Sequence, residues 1–342
     1  MNAIVCDIVA WMYFASQLPA TPLNAAQAQE RLSGAIATAG AAKSIRSLPW
    51  WKSFSALGRS LMAAPSSQEI PMHLLVTPKH FHGAQKSIVL HTISGPLPNG
   101  FLFDIHAPKP LDSLQIVGPA GYVILRSRHL DMIDLAVLIS TLCGDYLCAP
   151  HQNSIKYLAS PLSTVEVIKA IADRMPAQTR GVSTVKDVLP YVANRAHSPM
   201  ETVIQLALCL PKKLGGCGLP LPSLNTPIEI SEEHSYILNG SKHIIPDGLW
   251  LNKQICYEYD SYQEHDTQES QIERDRRRRD VMERLGFQMV VIDRSVCRDE
   301  LLRNLTFERL SSMLGVSFDW SSEAQRRRRK LWAFLRTNHL CW

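Results

Sequence analysis

Three carboxylates lie within two strand-like runs of residues 242–260, KHIIPDGLWLNKQICYEYD: Asp247, Glu258 and Asp260. Strand interiors usually disfavour Asp and Glu, so acids at this spacing require an explanation. Oxygen-only ligand sets suit hard divalent ions such as Mg²⁺ or Mn²⁺. Such an ion can make a nucleophile from water and stabilise a phosphoryl transition state. One interpretation is a metal-assisted hydrolase. The other is a solvent-facing strand edge whose acids pair with Arg from the following helix.

The spacing of the acids also predicts that they share one face of a hairpin. If Asn252-Lys253 is a two-residue loop, Asp247 lies directly opposite Glu258, with Cβ atoms about 5 Å apart. Asp260 falls on the same face because side chains alternate along a strand. Such a cluster is costly unless protons, basic side chains or a cation neutralise it. The opposite, apolar face is predicted to hold Ile244, Trp250, Ile255, Tyr257 and Tyr259.

Two further residues are candidates for the same chemistry. Ser198-Pro199-Met200-Glu201 predicts a helix start, with Ser at the N-cap, Pro first in the helix and Glu third. A capping box with Ser198 alone explains Glu201, and a carboxylate that leans toward the metal is the alternative. The alternatives for His265 are a general base, a residue that steadies the scissile phosphate, or an ordinary surface histidine.

Basic residues supply the candidate contacts to phosphate. The chain has a net charge of +5, and its last 19 residues contain five Arg, one Lys and no acid. Asp275 and Arg278 are spaced for an ordinary ion pair within one helix. Basic helices of this kind either attract nucleic acid phosphates or are simply solvated. The candidate nucleic-acid contacts are Arg276, Arg278, Arg279, Arg327 and Arg328.

The elements that must position these residues predict an α+β fold. From residue 198 onward the patterns read helix, strand, strand, strand, helix, strand, which indicates a mixed sheet flanked by helices. The predicted regions are a helical segment (1–70), a β-rich then helical domain (71–197), a core that carries the acids (198–310) and a basic C-terminal helix (311–342).

Composition limits the class of protein. The chain has 342 residues, of which 46% are hydrophobic and 20% charged, as expected for packed domains. Its eight cysteines include no CxxC pair, which favours reduced thiols in a cytoplasmic protein over a disulfide framework. The apolar N-terminus lacks a basic n-region and is too short to span a bilayer, so it predicts an amphipathic first helix and no membrane partner.

The ordered set of motifs resembles the PD-(D/E)XK nuclease superfamily, in particular its very-short-patch-repair-like endonucleases. The similarity covers roughly residues 198–300, under a third of the chain. Those enzymes carry a pattern of the kind D…(I/V)E-x-D-(G/S)…H…D-x-x-R…L-x-x-x-G. Here the pattern reads Asp247, Glu258-Tyr259-Asp260-Ser261, His265, Asp275, Arg278 and a terminal RLGFQMVVI.

The resemblance implies a restriction-endonuclease-like core that hydrolyses DNA phosphodiester bonds, in phage defence or DNA repair. It implies that Asp247 and Glu258 hold Mg²⁺ or Mn²⁺ and that Asp260 or His265 orients or activates water. It also implies that Arg278 pairs with a phosphate or an acid. The chain departs from the family pattern where Asp260 replaces the lysine of E-x-K and Ser261 replaces a frequent glycine.

The upstream half resembles the antitoxins of abortive-infection systems through MHLLVTP, SGPLPNG and LCGDY. That similarity implies a regulatory or DNA-binding role. The competing hypothesis is therefore a non-catalytic, antitoxin-like DNA binder with a degenerate nuclease fold. A nuclease directed at RNA is a further alternative, because the metal chemistry is the same.

Overall fold

The computed structural model describes residues 2–51, 70–81, 87–149, 154–260 and 269–338. The chain divides into two compact units. The first contains residues up to Cys143 and Leu147–Pro190, and the second contains Gly144–Tyr146 and Tyr191–His339. Both units mix helices and strands, which confirms the α+β class.

A six-stranded mixed sheet organises the first unit, with the order β2-β5-β6-β1-β3-β4. The pairs β1–β6 and β3–β4 are parallel, and the other neighbours are antiparallel. The strands are β1 (Asn2–Val5), β2 (Thr21–Pro22), β3 (Met72–Val76), β4 (Ile88–Thr92), β5 (Leu102–Ile105) and β6 (Ser113–Val117).

Seven helices accompany this sheet in the described residues of the first unit. They are α1 (Asp7–Ala15), α2 (Ala25–Ser33), α3 (Ala39–Arg46), α4 (Pro119–Arg126), α5 (Met132–Cys143), α6 (Val165–Arg174) and α7 (Val182–Val188). A separate two-stranded sheet pairs β7 (Tyr146–Ala149) with β8 (Ser154–Tyr157).

The N-terminus differs from the sequence expectation of a helical segment over residues 1–70. Ala3, Ile4 and Val5 are fully buried in β1, which lies between β3 and β6. The helix that follows, α1, is buried on nearly all sides, so it is not amphipathic. A short apolar run that continues into an apolar helix carries no periodicity to separate the two elements.

The second unit contains a four-stranded mixed sheet with the order β14-β13-β12-β9. Strands β13 and β14 are parallel, and the other pairs are antiparallel. A two-stranded sheet, β10-β11, stands apart from it. The strands are β9 (Ser223–Leu224), β10 (Ile228–Glu229), β11 (His243–Ile244), β12 (Gly248–Trp250), β13 (Ile255–Asp260) and β14 (Gln288–Asp293).

The helices of the second unit are α8 (Pro199–Cys209), α9 (Glu232–Ile237), α10 (Glu269–Arg284), α11 (Arg294–Arg298), α12 (Glu300–Met313) and α13 (Ser322–Asn338). Helix α8 is buried along its length and packs against α13. Helix α12 runs across the predicted boundary at residue 310, and α13 belongs to the same unit as the sheet. No helix in the described ranges is both long and apolar enough to cross a bilayer.

Candidate functional site

The register of the β12–β13 hairpin matches the prediction. Gly248 pairs with Tyr257 and Trp250 with Ile255, so Asp247 and Glu258 occupy the next opposed positions. The predicted two-residue loop is wrong. A 3₁₀ turn over Leu251–Lys253 is followed by Gln254 in the left-handed region, with φ of 54°. Two-residue hairpin loops require positive φ and therefore favour glycine, which this turn lacks.

Asp247 is tied to the neighbouring strand by a short hydrogen bond. The backbone N–H of Tyr259 donates to Asp247 Oδ2 at 2.6 Å. Burial raises the pKa of Asp247 to about 6, and the nearby Glu201 carboxylate acts in the same direction. An acid with this pKa is neutralised more readily than an exposed aspartate, by a proton or by a cation.

Glu258 lies against the helix that follows it in sequence. Arg278 Nη2 on α10 donates to Glu258 Oε1 at 2.6 Å, and the Glu258 side chain is 18% exposed. Burial raises the pKa of Glu258 to about 8; Asp247, Asp275 and Glu201 add to the rise, whereas Arg278 opposes it. The Arg278 contact is the pairing that the strand-edge interpretation predicts.

Glu201 is buried at the start of α8 and joins the site through Asn225. The predicted helix start is confirmed: Ser198 Oγ accepts from the Glu201 N–H at 3.2 Å, and Pro199 opens the helix. The capping box is incomplete, because Glu201 Oε2 accepts from the His197 N–H rather than from Ser198. The same oxygen accepts from Asn225 Nδ2 at 2.7 Å.

Asn225 is a site residue that the sequence analysis missed. Its backbone N–H donates to the Asp247 carbonyl at 3.3 Å, so it bridges the strand of Asp247 and the Glu201 carboxylate. Its φ is 47°, a conformation that Asn tolerates better than most residues. The segment Asn225-Thr226-Pro227 is a turn signal in the sequence that could have located it.

A cleft of about 210 Å³ opens beside Glu258. Asp260, Asp275, Arg278 and Arg279 line it together with Glu258, so both signs of charge face the same space. Arg276 is exposed and does not line this cleft. Of the arginine run on α10, two residues therefore reach the acids.

The opposite faces of the hairpin are both packed. Trp250 and Tyr257 are buried with ring centroids 5.8 Å apart, as predicted. Ile244 is not on their face; it packs in a cluster with Leu249 and Cys256. Pro246 explains the difference, because it cannot donate to a ladder, and Ile244 belongs to β11, which pairs with β10.

The remaining candidate residues lie elsewhere or outside the described residues. His265 is outside them. Arg327 pairs with Glu323 at 3.0 Å. Arg328 donates to Asn304 Oδ1 at 3.0 Å and lies over the ring of Phe318. The two candidate nucleic-acid contacts on α13, Arg327 and Arg328, thus have partners within the protein.

A possible metal-binding group lies away from the acids of the hairpin. Among the residues that the structure describes, one group of three His, Cys, Asp or Glu side chains brings its ligand atoms within 4.8 Å of one another: Asp7, His73 and His91. This buried group in the first unit could hold a metal ion. Asp247, Glu258 and Asp260 do not bring three ligand atoms that close.

The charge on Glu258 is expected to make the protein less stable as the pH rises. Because its pKa is higher in the folded protein than in the unfolded chain, the folded state holds the proton between about pH 5 and pH 8, and the unfolded state releases it. The unfolding free energy should therefore fall across this window by a few kcal/mol at most. Glu258→Gln should reduce that fall, as measured by urea unfolding at both ends of the window.

Glu229→Gln, an exposed acid on β10, is the matched control and should leave the pH dependence unchanged. An equal fall in wild type and Glu258→Gln would contradict the assignment of the raised pKa to this residue.

Comparisons of the chain with protein-family models, with curated proteins and with solved structures found no match.

Proposed function

We propose that the second unit is a metal-dependent endonuclease that hydrolyses DNA phosphodiester bonds. The observation that carries the proposal is the placement of Asp247 and Glu258 at opposed positions of neighbouring strands, with half-buried carboxylates whose pKa values are both raised and with Glu201 in the same electrostatic neighbourhood. Negative charge concentrated in a half-buried site is stabilised by a divalent cation.

The order of elements supports the same proposal. Helix α8, strands β9, β12 and β13, helix α10 and strand β14 occur in this order along the chain, with β10, α9 and β11 between β9 and β12, and the four strands are neighbours in one sheet. The resemblance to restriction-endonuclease-like proteins implies a core of a helix, three strands, a helix and a strand around a mixed sheet. The acids lie where β12 begins and where β13 ends.

The donor set fits a hard ion. Asp247 and Glu258 would hold Mg²⁺ or Mn²⁺, and their oxygen ligands match the preference of these ions. The ion would supply water activation and stabilisation of the phosphoryl transition state. Because Arg278 Nη2 contacts Glu258 Oε1 at 2.6 Å and the raised pKa of Glu258 retains its proton below about pH 8, loading the ion requires Glu258 to give up both the Arg278 contact and the proton.

The cleft residues account for the rest of the site. Asp260, which lines the cleft with Glu258, would orient the attacking water. Arg278 and Arg279 would contact the DNA phosphates, and Arg276 would add positive charge beside them. His265 keeps its proposed role as a base or a phosphate contact, outside the described residues.

Calorimetric titration of Mn²⁺ tests the site without requiring the correct DNA substrate. Wild type is expected either to bind one more ion than Glu258→Ala or to bind that ion roughly tenfold or more tightly. A tenfold difference in affinity corresponds to about 1.4 kcal/mol of binding free energy. Glu229→Ala, which removes an exposed acid of the same unit, should bind as wild type does. Identical isotherms for wild type and Glu258→Ala would overturn the metal assignment.

A second candidate function is an antitoxin-like DNA-binding regulator with no catalysis. The Glu258–Arg278 contact favours it, because the protein itself already supplies a partner for this acid. The regulator would bind DNA tightly and cleave none in any divalent ion, whereas the nuclease would nick plasmid DNA in Mg²⁺ or Mn²⁺.

A further inference from the structure

We infer that Asp7, His73 and His91 form a binding site for one transition-metal ion of the Zn²⁺ class, separate from the acidic site of the second unit. The three residues come from the start of one helix and from two strands of one sheet. Asp7 is the first residue of α1, directly after the central strand β1 and Cys6. His73 lies on β3 and His91 on β4, which are parallel neighbours.

The ligand atoms already have the spacing of a metal site. His73 Nδ1 and His91 Nε2 are 2.9 Å apart, and Asp7 Oδ2 is 3.5 Å from the first and 3.4 Å from the second. Ligands about 2.0–2.1 Å from a tetrahedral Zn²⁺ lie roughly 3.3–3.4 Å from one another. An ion could therefore be accommodated with shifts of a few tenths of an ångström.

The contact between the two histidines is a hydrogen bond that a metal ion would replace. One proton between the two imidazole nitrogens accounts for the 2.9 Å contact. If both ring nitrogens carried a proton, the two N–H groups would point at each other across 2.9 Å and repel. The contacts of Asp7 Oδ2 at 3.4 and 3.5 Å are longer than the about 2.7–2.9 Å of charge-assisted hydrogen bonds. A cation at the centre satisfies all three lone pairs together.

The backbone and the second carboxylate oxygen hold Asp7 in place. Its φ is 53°, an uncommon conformation that costs about 1 kcal/mol or more outside glycine and is found at functional sites. Arg126 Nη1 lies 3.5 Å from Asp7 Oδ1 and leaves Oδ2 directed at the histidines. A partner of this kind orients a ligating carboxylate, although its positive charge also limits the affinity for the ion.

The donor set selects the class of ion. Two imidazole nitrogens and one carboxylate oxygen suit Zn²⁺, Fe²⁺ or Co²⁺, whereas Mg²⁺ prefers oxygen ligands only. Three protein ligands leave a position for water, as in catalytic rather than structural zinc sites. His73 and His91 are 14% and 17% exposed, so solvent reaches the edge of the group.

Cobalt titration tests this site directly. The full chain, without a histidine tag and stripped by a chelator, is titrated with Co²⁺ and then with Zn²⁺. We expect the visible absorption of one low-symmetry Co²⁺ per chain, displaced by Zn²⁺, and no thiolate charge-transfer band, although Cys6 is adjacent to Asp7. His91→Ala should weaken binding by roughly 100-fold or more, and His106→Ala, an exposed histidine, should not.

Two further measurements separate the possible outcomes. Glu258→Ala should keep the Co²⁺ signal, because Glu258 is not a ligand of this site. Failure of the nuclease proposal would therefore not contradict the Asp7–His73–His91 site, and failure of this site would not contradict the nuclease proposal. If His91→Ala lacks the circular dichroism of the wild type, His91→Gln and Asp7→Asn take its place. Absence of the signal in wild type, or its persistence in the folded ligand variants, would overturn the inference.

Discussion

Asp247→Ala is expected to abolish nicking of supercoiled plasmid in Mg²⁺ or Mn²⁺. The ion contributes several kcal/mol of transition-state stabilisation, and each 1.36 kcal/mol is a factor of ten in rate, so the loss should be roughly 10³-fold or more. The measurement is the initial rate of conversion to open-circular DNA at fixed enzyme and ion concentration.

The control for this experiment is Glu229→Ala, purified in parallel, which should nick at the wild-type rate. Because Asp247 raises the pKa of Glu258, the variant should also lower that pKa, and this can be followed independently of activity. Equal nicking by wild type and Asp247→Ala would mean that the activity belongs to a contaminant or to another site. No nicking by any variant, with DNA binding retained, would favour the regulator.

Gly248→Ala is expected to cause the largest loss of stability among single substitutions at the site. A Cβ at this position would lie 2.0 Å from Cε1 and 2.3 Å from Cζ of Tyr257. Tyr257 is fully buried against Trp250, so its ring has little room to withdraw. We expect a loss on the order of 3 kcal/mol in unfolding free energy, measured by urea unfolding, since a clash this severe should cost at least the upper end of the usual range for overpacking.

A double-mutant cycle identifies the cause of that loss. Tyr257→Leu alone removes the ring and should itself destabilise the core. If the clash is responsible, Gly248→Ala should cost much less in the Tyr257→Leu background than in wild type, which appears as a coupling energy between the two sites. Additive losses would show that the alanine acts on the backbone instead.

A turn centred between Asn252 and Lys253 predicts the hairpin register. The longer turn of the structure, Leu251–Gln254, has the same centre, so the opposed pairs of the two strands are unchanged. The loop was predicted less well, since Asn252-Lys253 is polar but contains no glycine, and the chain instead places Gln254 at positive φ. Local pattern therefore located the acids, and the turn geometry had to come from the structure.

The spacing of Asp7, His73 and His91 in the sequence does not predict that they form a group. Asp7 interrupts an apolar run, and His73 and His91 show no ligand pattern, because 66 and 18 residues separate the successive ligands in the chain. Only the sheet order β1-β3-β4 brings them together. The sequence analysis missed Asn225 for the same reason. Its contacts with Glu201 and with the strand of Asp247 depend on how a turn packs against α8.

The central place of β1 has a consequence for folding during synthesis. Asn2 pairs with Ser113, and the neighbouring pairs of β1 and β6 keep the same separation of 111 residues. At about 5–20 residues per second, a ribosome needs roughly 5–20 s to deliver β6 after β1. During that interval β1 lacks its β6 neighbour, and until β3 has also been made it lacks both neighbours. Contacts so distant in sequence form slowly, and β1 can complete its pairing only after residue 117 has emerged.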